Sequence, residues 1–377
     1  MAKKKEKQEQ DSNLSLADRI DSILGGAVSG VDPMWEYEVL PCGVLGLEKA
    51  LAGGFRYGAC TELYGEQHAG KSLLTYAALA NNQRLGGLSI LYDSEGPAYD
   101  PEFFRTMGGN PDTLLVKIGF TVEEFFSQMV DLCKMAIQAR KNGEEIRIAV
   151  GWDSIANTGT DYLNIEGVGG KRDFSKAQGM SEGCKLLGGL LREAKIALIC
   201  TNQIREKIGA SEYDPTSVPG GRAMLHFAGQ RIELKFDGGY GAGGSALKNG
   251  DIVVGRKVRG IVQKNRAGPS SRQFHFQVWV EGGFPHPDWE GHMTNPGINA
   301  DEAAFAYYIE PYATFGKNNT KFFTTGGAGW YTWDEAVVKA LGKPTDWCYK
   351  KFQRKHWSAV LADAPQLRDA SFMTDVD

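Results

Sequence analysis

The chain changes its hydrophobic period several times, and each change predicts an element. In LSLADRIDSIL, Leu16, Ile20, Ile23 and Leu24 recur at helical spacing and predict a short amphipathic helix over 14–24, followed by the joint GGAVSG. A helix with one apolar face on a glycine linker must pack on something, either its own domain or a neighbouring subunit. From Cys60 onward strand and helix alternate. Thr61, Leu63 and Tyr64 end a short strand, and Leu73, Leu74, Ala77 and Leu79 follow on a helix. LSILYDSE (88–95) reads as a buried strand ending in acids, and TLLVKIG as another strand. From Thr121 to Arg140, Val122, Phe125, Phe126, Met129, Val130, Cys133 and Ile137 share one helical face behind a capping box of Thr121 and Glu124. IRIAVGWDS, a helix ending near Ala194, and IALICTNQ complete the series.

Repeated βα units specify an α/β fold whose central sheet is mostly parallel, with helices on both faces. Ligands in that architecture gather at the C-terminal ends of the strands. Polar residues stand where the strands stop: Glu95 after LYDS, Asp153 and Ser154 after IAVGW, Asn202 and Gln203 after LICT. Later, RIELKF, DIVVGRKVRGIVQKN and RQFHFQVWV read as antiparallel strands that extend the sheet. The last of them sets Phe274, Phe276, Val278 and Val280 against Gln273, His275 and Gln277. Beyond Gly283 the chain is rich in glycine and aromatics, with short helices expected near Asp301 to Ile309 and Thr332 to Leu341.

The turn GEQHAGKS, Gly65 to Ser72, joins the first strand of the series to its helix and fits G-x-x-x-x-G-K-[ST] at every fixed position. Gly65, Glu66, Gln67, His68, Ala69, Gly70, Lys71 and Ser72 form the candidate phosphate cradle, with His68 a variable position in it. Small residues let consecutive N–H groups converge on a phosphate, and the following helix adds its positive N-terminal end. Lys71 is placed to reach the β- and γ-phosphates of ATP, and Ser72 to ligate Mg²⁺. The metal would sit between Ser72 and, through water, Asp153, an acid ending an apolar strand after the loop. Glu95 is the candidate to orient or deprotonate the attacking water, and Gln203 to sense the γ-phosphate.

Composition narrows the rest. The chain's 377 residues exceed the roughly 250 to 300 at which single cores stop growing, so two folded units and a tail are expected. A formal charge of −4 rules out a globally basic nucleic-acid binder, so any DNA site must be local. The six cysteines are scattered without a C-x-x-C pair, which points to a reduced cytoplasmic protein. MAKKKEKQEQDSN has no apolar core of a signal peptide, and no apolar run is long enough for a bilayer, so no membrane partner is expected. Two loops, 161–175 and 208–221, are small-residue rich and too long for ordinary connections. Lys171, Arg172, Lys185, Arg205, Lys207 and Arg222 flank or lie within them as candidate phosphate contacts.

The run TNQIREKIGASEYDPTSVPGGRAMLHFAGQRIEL closely resembles the RecA recombinases. LPCGVLGLEKALAGGFRYGACTELYG, LYDSEGPAYDPEFFRTMGG and VGRKVRGIVQKNRAGPSSRQFHFQV agree, so the resemblance covers about Leu40 to Gly283. The short N-terminal helix and divergent C-terminal part look more like the phage-encoded, UvsX-like branch. The resemblance implies a P-loop ATPase core with Glu95 as catalytic glutamate, Gln203 as the residue coupling γ-phosphate to DNA loops, and Asp153 as the Walker B acid. It implies that Asp100 and Phe103 contact adenine and that Lys264 and Arg266 reach the ATP of a neighbouring subunit. It places Ile208 as a wedge between bases at the base of the second loop, which the Gly220–Gly221 pair closes. Two departures are Gln178 and Lys185 where the family often has arginines, and His226 at an interface phenylalanine position.

The expected organisation is a tail over 1–13, an oligomerisation helix and linker over 14–39, an ATPase core over 40–283, and a small C-terminal α+β domain over 284–377. In the last, KPTDWCYKKFQRKHW (343–357) reads either as an amphipathic helix with core aromatics or as a basic and aromatic surface for duplex DNA. The leading expectation is an ATP- and Mg²⁺-dependent recombinase that assembles as a helical homo-oligomer on single-stranded DNA. It would pair that strand with homologous duplex DNA and exchange strands, with single-strand-binding and mediator proteins as further partners. A ring helicase or translocase, and an assembly ATPase that ignores DNA, are the alternatives.

Overall fold

The computed structural model describes residues 37–96, 99–161, 175–206, 216–217, 222–237, 246–249, 252–266, 268–279, 297–298, 323–326, 330–353 and 356–368. The expected tail, the helix over 14–24, the helix near Asp301 to Ile309, and Val280 lie outside the described residues. The chain divides into Met1–Glu38 and Val39–Asp377.

The second unit begins with β1 (Val39–Leu40), α1 (Leu45–Leu51), β2 (Phe55–Arg56), β3 (Ala59–Gly65), α2 (Lys71–Arg84) and β4 (Leu88–Asp93). It continues through α3 (Pro101–Thr106), β5 (Leu114–Lys117), α4 (Val122–Lys141), β6 (Ile148–Asp153), α5 (Ser175–Ala194) and β7 (Ile196–Gln203). The short β8 (Arg205–Glu206) and β9 (Thr216–Ser217) precede α6 (Ala223–Phe227) and β10 (Gln230–Phe236). Then come β11 (Ala246–Asn249), β12 (Ile252–Asn265), β13 (Gln273–Trp279) and β14 (Gly297–Ile298). The last elements are β15 (Phe323–Gly326), β16 (Trp330–Trp333), α7 (Glu335–Ala340), β17 (Lys351–Gln353) and α8 (Trp357–Asp363).

The main sheet has ten strands in the order β14-β13-β12-β10-β3-β7-β6-β4-β5, with β11 on β12. From β10 to β5 every pairing is parallel, whereas β10 to β14 are joined antiparallel. Alternation along each strand sends side chains into two apolar layers. Ala197 and Ile199 join Leu74 and Leu79 of α2 in one; Leu198 and Cys200 join Phe125, Met129 and Leu187 of α4 and α5 in the other. Helices on both faces therefore cover the parallel half, as the βα pattern predicts.

The capping box forms: Glu124 N–H donates to Thr121 Oγ1 at 3.2 Å and Thr121 N–H to Glu124 Oε2 at 3.0 Å, worth about 1 kcal/mol to the start of α4. Phe125 of that helix stacks on Trp152 of β6 with ring centres 3.8 Å apart. Both side chains are buried, and cutting Phe125 to alanine costs about 3 to 5 kcal/mol.

Four expectations are corrected. RIELKF is not purely antiparallel: it is β10, antiparallel to β12 but parallel to β3, because the chain returns through α6 before re-entering the sheet. The strand LSILYD stops at Asp93, leaving Glu95 in the bend beyond it, and Leu88 at its start is 56% exposed. Thr332 and Trp333 belong to β16, and the helix begins only after Asp334, whose carboxylate caps it by accepting from Ala336 N–H at 2.8 Å. Residues 343–357 are not one helix but turns, β17 and the start of α8. Their aromatics are nevertheless core: Trp347, Phe352 and Trp357 pack with Trp333, Val337, Val360 and Leu361, and Leu45 of α1 joins this third cluster. Buried in this way, the three rings present no face to a base. Among the described residues no helix is long and apolar enough to cross a membrane.

Candidate functional site

The turn between β3 and α2 is shaped by two glycines. Gly65 has φ +148°, and a Cβ there would lie 2.0 Å from Leu234 O of β10; Gly70 has φ +86°, and a Cβ would lie 2.8 Å from Val278 Cγ2 of β13. Any side chain at either place would push the sheet away from the loop. Gly70 is also the N-cap of α2 and supplies no side-chain cap, which leaves the first N–H groups of a 14-residue helix available to an anion. The main chain between them meets the composition a phosphate cradle requires. Glu66 is tied back by Phe236 N–H at 3.3 Å, Ala69 is buried, and Gln67 and His68 are exposed.

Lys71 opens α2 and folds back over the loop, where its ammonium donates to Glu66 O at 2.6 Å and Gly65 O at 3.2 Å. Burial lowers its pKa, against the pull of Asp153, Glu95 and Glu66. Asp153 ends β6 and is 8% exposed. Burial pushes its carboxyl above the ordinary range, offset by hydrogen bonds from Ser72 and Thr201, whose Oγ1 donates at 2.5 Å. Ser72 and Asp153 thus share a hydrogen bond across the space expected of a divalent cation, and an oxygen donor set of this kind fits Mg²⁺.

Glu95 lies in the bend after β4, next to that pair. Its Oε1 accepts from Ser154 Oγ at 3.2 Å and from Asn157 Nδ2 at 2.5 Å, so the side chain is held from the β6 side. Asp93, the register partner of Asp153, is 2% exposed and accepts from the N–H groups of Glu95 and Tyr99. Burial raises its carboxyl pKa as well. Gln203 ends β7 beside Gly65 in register. Asp100 caps α3 by accepting from Glu102 N–H at 2.9 Å, and Phe103 packs within 6.2 Å of the Tyr76 ring of α2. Strand ends of β3, β4, β6 and β7 therefore bring Lys71, Ser72, Glu95, Asp153 and Gln203 to one edge, with α3 alongside.

A family model described as the RecA N-terminal domain matches residues 21–285. The chain belongs to the RecA family. Similar curated relatives include Protein RecA of Leifsonia xyli subsp. xyli, 31% identical over 300 residues that cover 78% of each chain. Protein RecA of Methylococcus capsulatus is 31% identical over 268 residues, 71% of each chain. Protein RecA of Herpetosiphon aurantiacus is 29% identical over 348 residues, covering 89% of this chain and 91% of the relative.

The remaining residues expected from the RecA resemblance are dispersed. Lys264 and Arg266 close β12 and rest on α6: Lys264 Nζ donates to Leu225 O at 2.6 Å and to His226 O at 3.4 Å, and Arg266 donates to His226 O. Lys185 is exposed on α5, and Arg222 is the exposed N-cap of α6. Arg205 lies in β8, whose pairing with β9 ties Arg205 to Ser217 and Glu206 to Thr216 across the second loop. Lys171, Arg172, Lys207, Ile208, Gly220 and Gly221 lie outside the described residues.

Sequence reasoning missed three members of this RecA site. Asp93 had a signal, since it stands two residues before Glu95 in the same acidic strand end. Thr201 sat in the polar end of β7, one residue before the pair that was singled out. Asn157 had none, because only the turn after β6 brings it to Glu95.

Proposed function

We propose that this RecA-family chain is a DNA-dependent ATPase that assembles on single-stranded DNA as a helical filament and catalyses homologous pairing and strand exchange in the cytoplasm. The observation that carries the reading is the convergence of Lys71, Ser72, Asp153 and Glu95 at one strand edge behind an uncapped helix. ATP fits this edge with its phosphates on Gly65 to Ser72 and its adenine near Asp100 and Phe103. Ser72 and Asp153 would hold Mg²⁺, which neutralises charge on the β- and γ-phosphates. Glu95, fixed by Ser154 and Asn157, orients the attacking water and accepts its proton. Lys71 leaves the loop carbonyls for the γ-phosphate, and Gln203 registers its presence at the start of the second loop.

The 14–39 segment is assigned to contact between subunits, the 161–175 and 208–221 loops with Lys171, Arg172, Lys185, Arg205, Lys207, Ile208 and Arg222 to DNA, and the 284–377 region to a small C-terminal domain. Its distinct sequence and the amphipathic pattern over 14–24 favour a phage-encoded, UvsX-like member, assisted by single-strand-binding and mediator proteins. ATP hydrolysis measured with and without a single-stranded oligonucleotide in Mg²⁺ tests the reading. Strong stimulation is expected; a rate indifferent to DNA overturns it.

A further inference from the structure

A line of buried polar contacts crosses the sheet on the side of α4 and α5. Arg231 of β10 opposes Lys264 in the antiparallel pair with β12 and Glu62 in the parallel pair with β3, so these three residues are register neighbours. Glu62 is fully buried and Arg231 is 9% exposed. Arg231 Nε donates to Glu62 Oε2 at 2.6 Å, and its guanidinium covers the Tyr64 ring at 4.5 Å. Glu62 Oε1 accepts from Asn202 Nδ2 at 3.1 Å, and Asn202, itself fully buried, accepts the Gln203 N–H on Oδ1 at 3.0 Å. At the other end Lys264 and Arg266 are held by the α6 carbonyls of Leu225 and His226, one short helix after the second loop.

Physical accounting makes this line hard to read as a stabilising feature. Like charges directly opposite on a sheet repel, and Arg231 faces Lys264. Burial first, then Arg266 and Arg231, hold the Lys264 pKa below its ordinary range. A buried ion pair gives little net stability over apolar packing, but it is sensitive to the loss or movement of one partner. Moving Lys264 changes the field on Arg231, whose hold on Glu62 fixes Asn202.

We propose that Asn202, Glu62 and Arg231 are positioning residues that tie the main chain of Gln203 to the cation pair Lys264–Arg266. When the cations leave the α6 carbonyls for phosphates of a neighbouring subunit, the charge opposite Arg231 is withdrawn and Asn202 re-aims Gln203. Assembly is thereby read at the nucleotide end of β7 from inside the chain that donates the cations. The inference rests on the roles proposed above for Gln203 and the cation pair.

The test is steady-state ATPase of the full chain, over a range of ATP with single-stranded oligonucleotide, in a double-variant cycle of Asn202→Ala and Lys264→Ala. Asn202→Ala is expected to lower kcat about tenfold with KM for ATP within about twofold. The double variant should fall no further than the worse single one. Losses that multiply overturn the proposal, because a residue needed only for packing acts independently of Lys264. Glu62→Gln keeps the shape and the Asn202 contact while removing the charge; it should show the same non-additivity and serves if Asn202→Ala does not fold. A wild-type rate indifferent to DNA sinks the recombinase reading alone, and the cycle is then judged on the basal rate. A wild type with no ATPase overturns both.

Discussion

The two halves of the main sheet carry opposite chemistry. Ends of the parallel strands gather Glu95 and Asp153 around Lys71, with Asp93 beside Asp153. The antiparallel half gathers Arg231, Lys264 and Arg266 around Glu62 and the carbonyls of α6. Phosphoryl transfer spreads negative charge over the transferred group and needs more cations than Lys71 supplies. On the function proposed above, the acid-rich half lacks what the cation-rich half has to give, and both needs would be met with one copy's β12 end facing another's cradle. On that same proposal, the difference teaches that each half would be a half-site, and that catalysis would belong to the seam.

The strongest way to break this comparison is Lys71→Ala. It removes the cation that sits against Asp153, Glu95 and Glu66 and leaves those carboxylates facing the phosphates. Nucleotide-dependent assembly and ATP hydrolysis should both vanish, as read by light scattering with an ATP analogue and by phosphate release; retention of either would mean the cradle is misassigned. Next comes Glu95→Gln, which keeps the hydrogen bonds of Ser154 and Asn157 to its carbonyl oxygen but cannot take a proton. Turnover should fall by about 10²- to 10⁴-fold while filaments form and persist longer. Hydrolysis at the wild-type rate would remove Glu95 from its role.

Mixing sharpens the comparison itself. Lys264→Ala alone should lose most of its activity for want of a donated cation while keeping a measurable residual rate, and Glu95→Gln should be nearly inactive for want of a base. In an equimolar mixture about one seam in four joins an intact Glu95 to an intact Lys264, so activity should reappear near a quarter of wild type. No recovery would place Lys264 in its own chain's chemistry.

How legible this division was depends on period and direction. The cradle, α4 and its cap were readable because fixed spacings enforce them: Gly65 and Gly70 cannot carry a Cβ, and the Thr121–Glu124 box needs its partners three positions apart. Strand direction was not, because the alternation in RIELKF is the same whichever way its neighbour runs, and the parallel pairing with β3 depends on the path through α6. The segment 343–357 misled because apolar and basic residues at mixed intervals satisfy a helical face as well as turns around a core. Asp93, Asn157 and Thr201 are placed by register and by one turn, neither of which a one-dimensional pattern contains.

Charge removal on the DNA side should have a graded effect. Arg222→Ala and Lys185→Ala, both exposed, should weaken oligonucleotide binding and reduce its salt slope by about 0.7 for each lost contact with single-stranded DNA. An unchanged slope in fluorescence anisotropy titrations would remove that residue from the DNA path.

The smallest effect separates stability from function within the acid-rich half. Asp153 has its pKa raised by burial, so its charged form is disfavoured in the folded chain relative to the unfolded one. The sign follows: this group favours folding while protonated, and that contribution is lost as pH rises through the folded pKa, leaving a cost at neutral pH. Asp153→Asn keeps an oxygen for Thr201 to donate to and removes the charge. Without nucleotide the variant should be more stable than wild type at pH 7 by about 1 kcal/mol, with the gain shrinking toward about pH 3, where the wild-type carboxyl is protonated. Mg²⁺-dependent hydrolysis should be lost at the same time. Thermal melts of both chains at the two pH values decide it: equal stability at pH 7 would mean that Ser72 and Thr201 already offset the burial, and that the acid-rich half carries no stored cost for the cation to relieve.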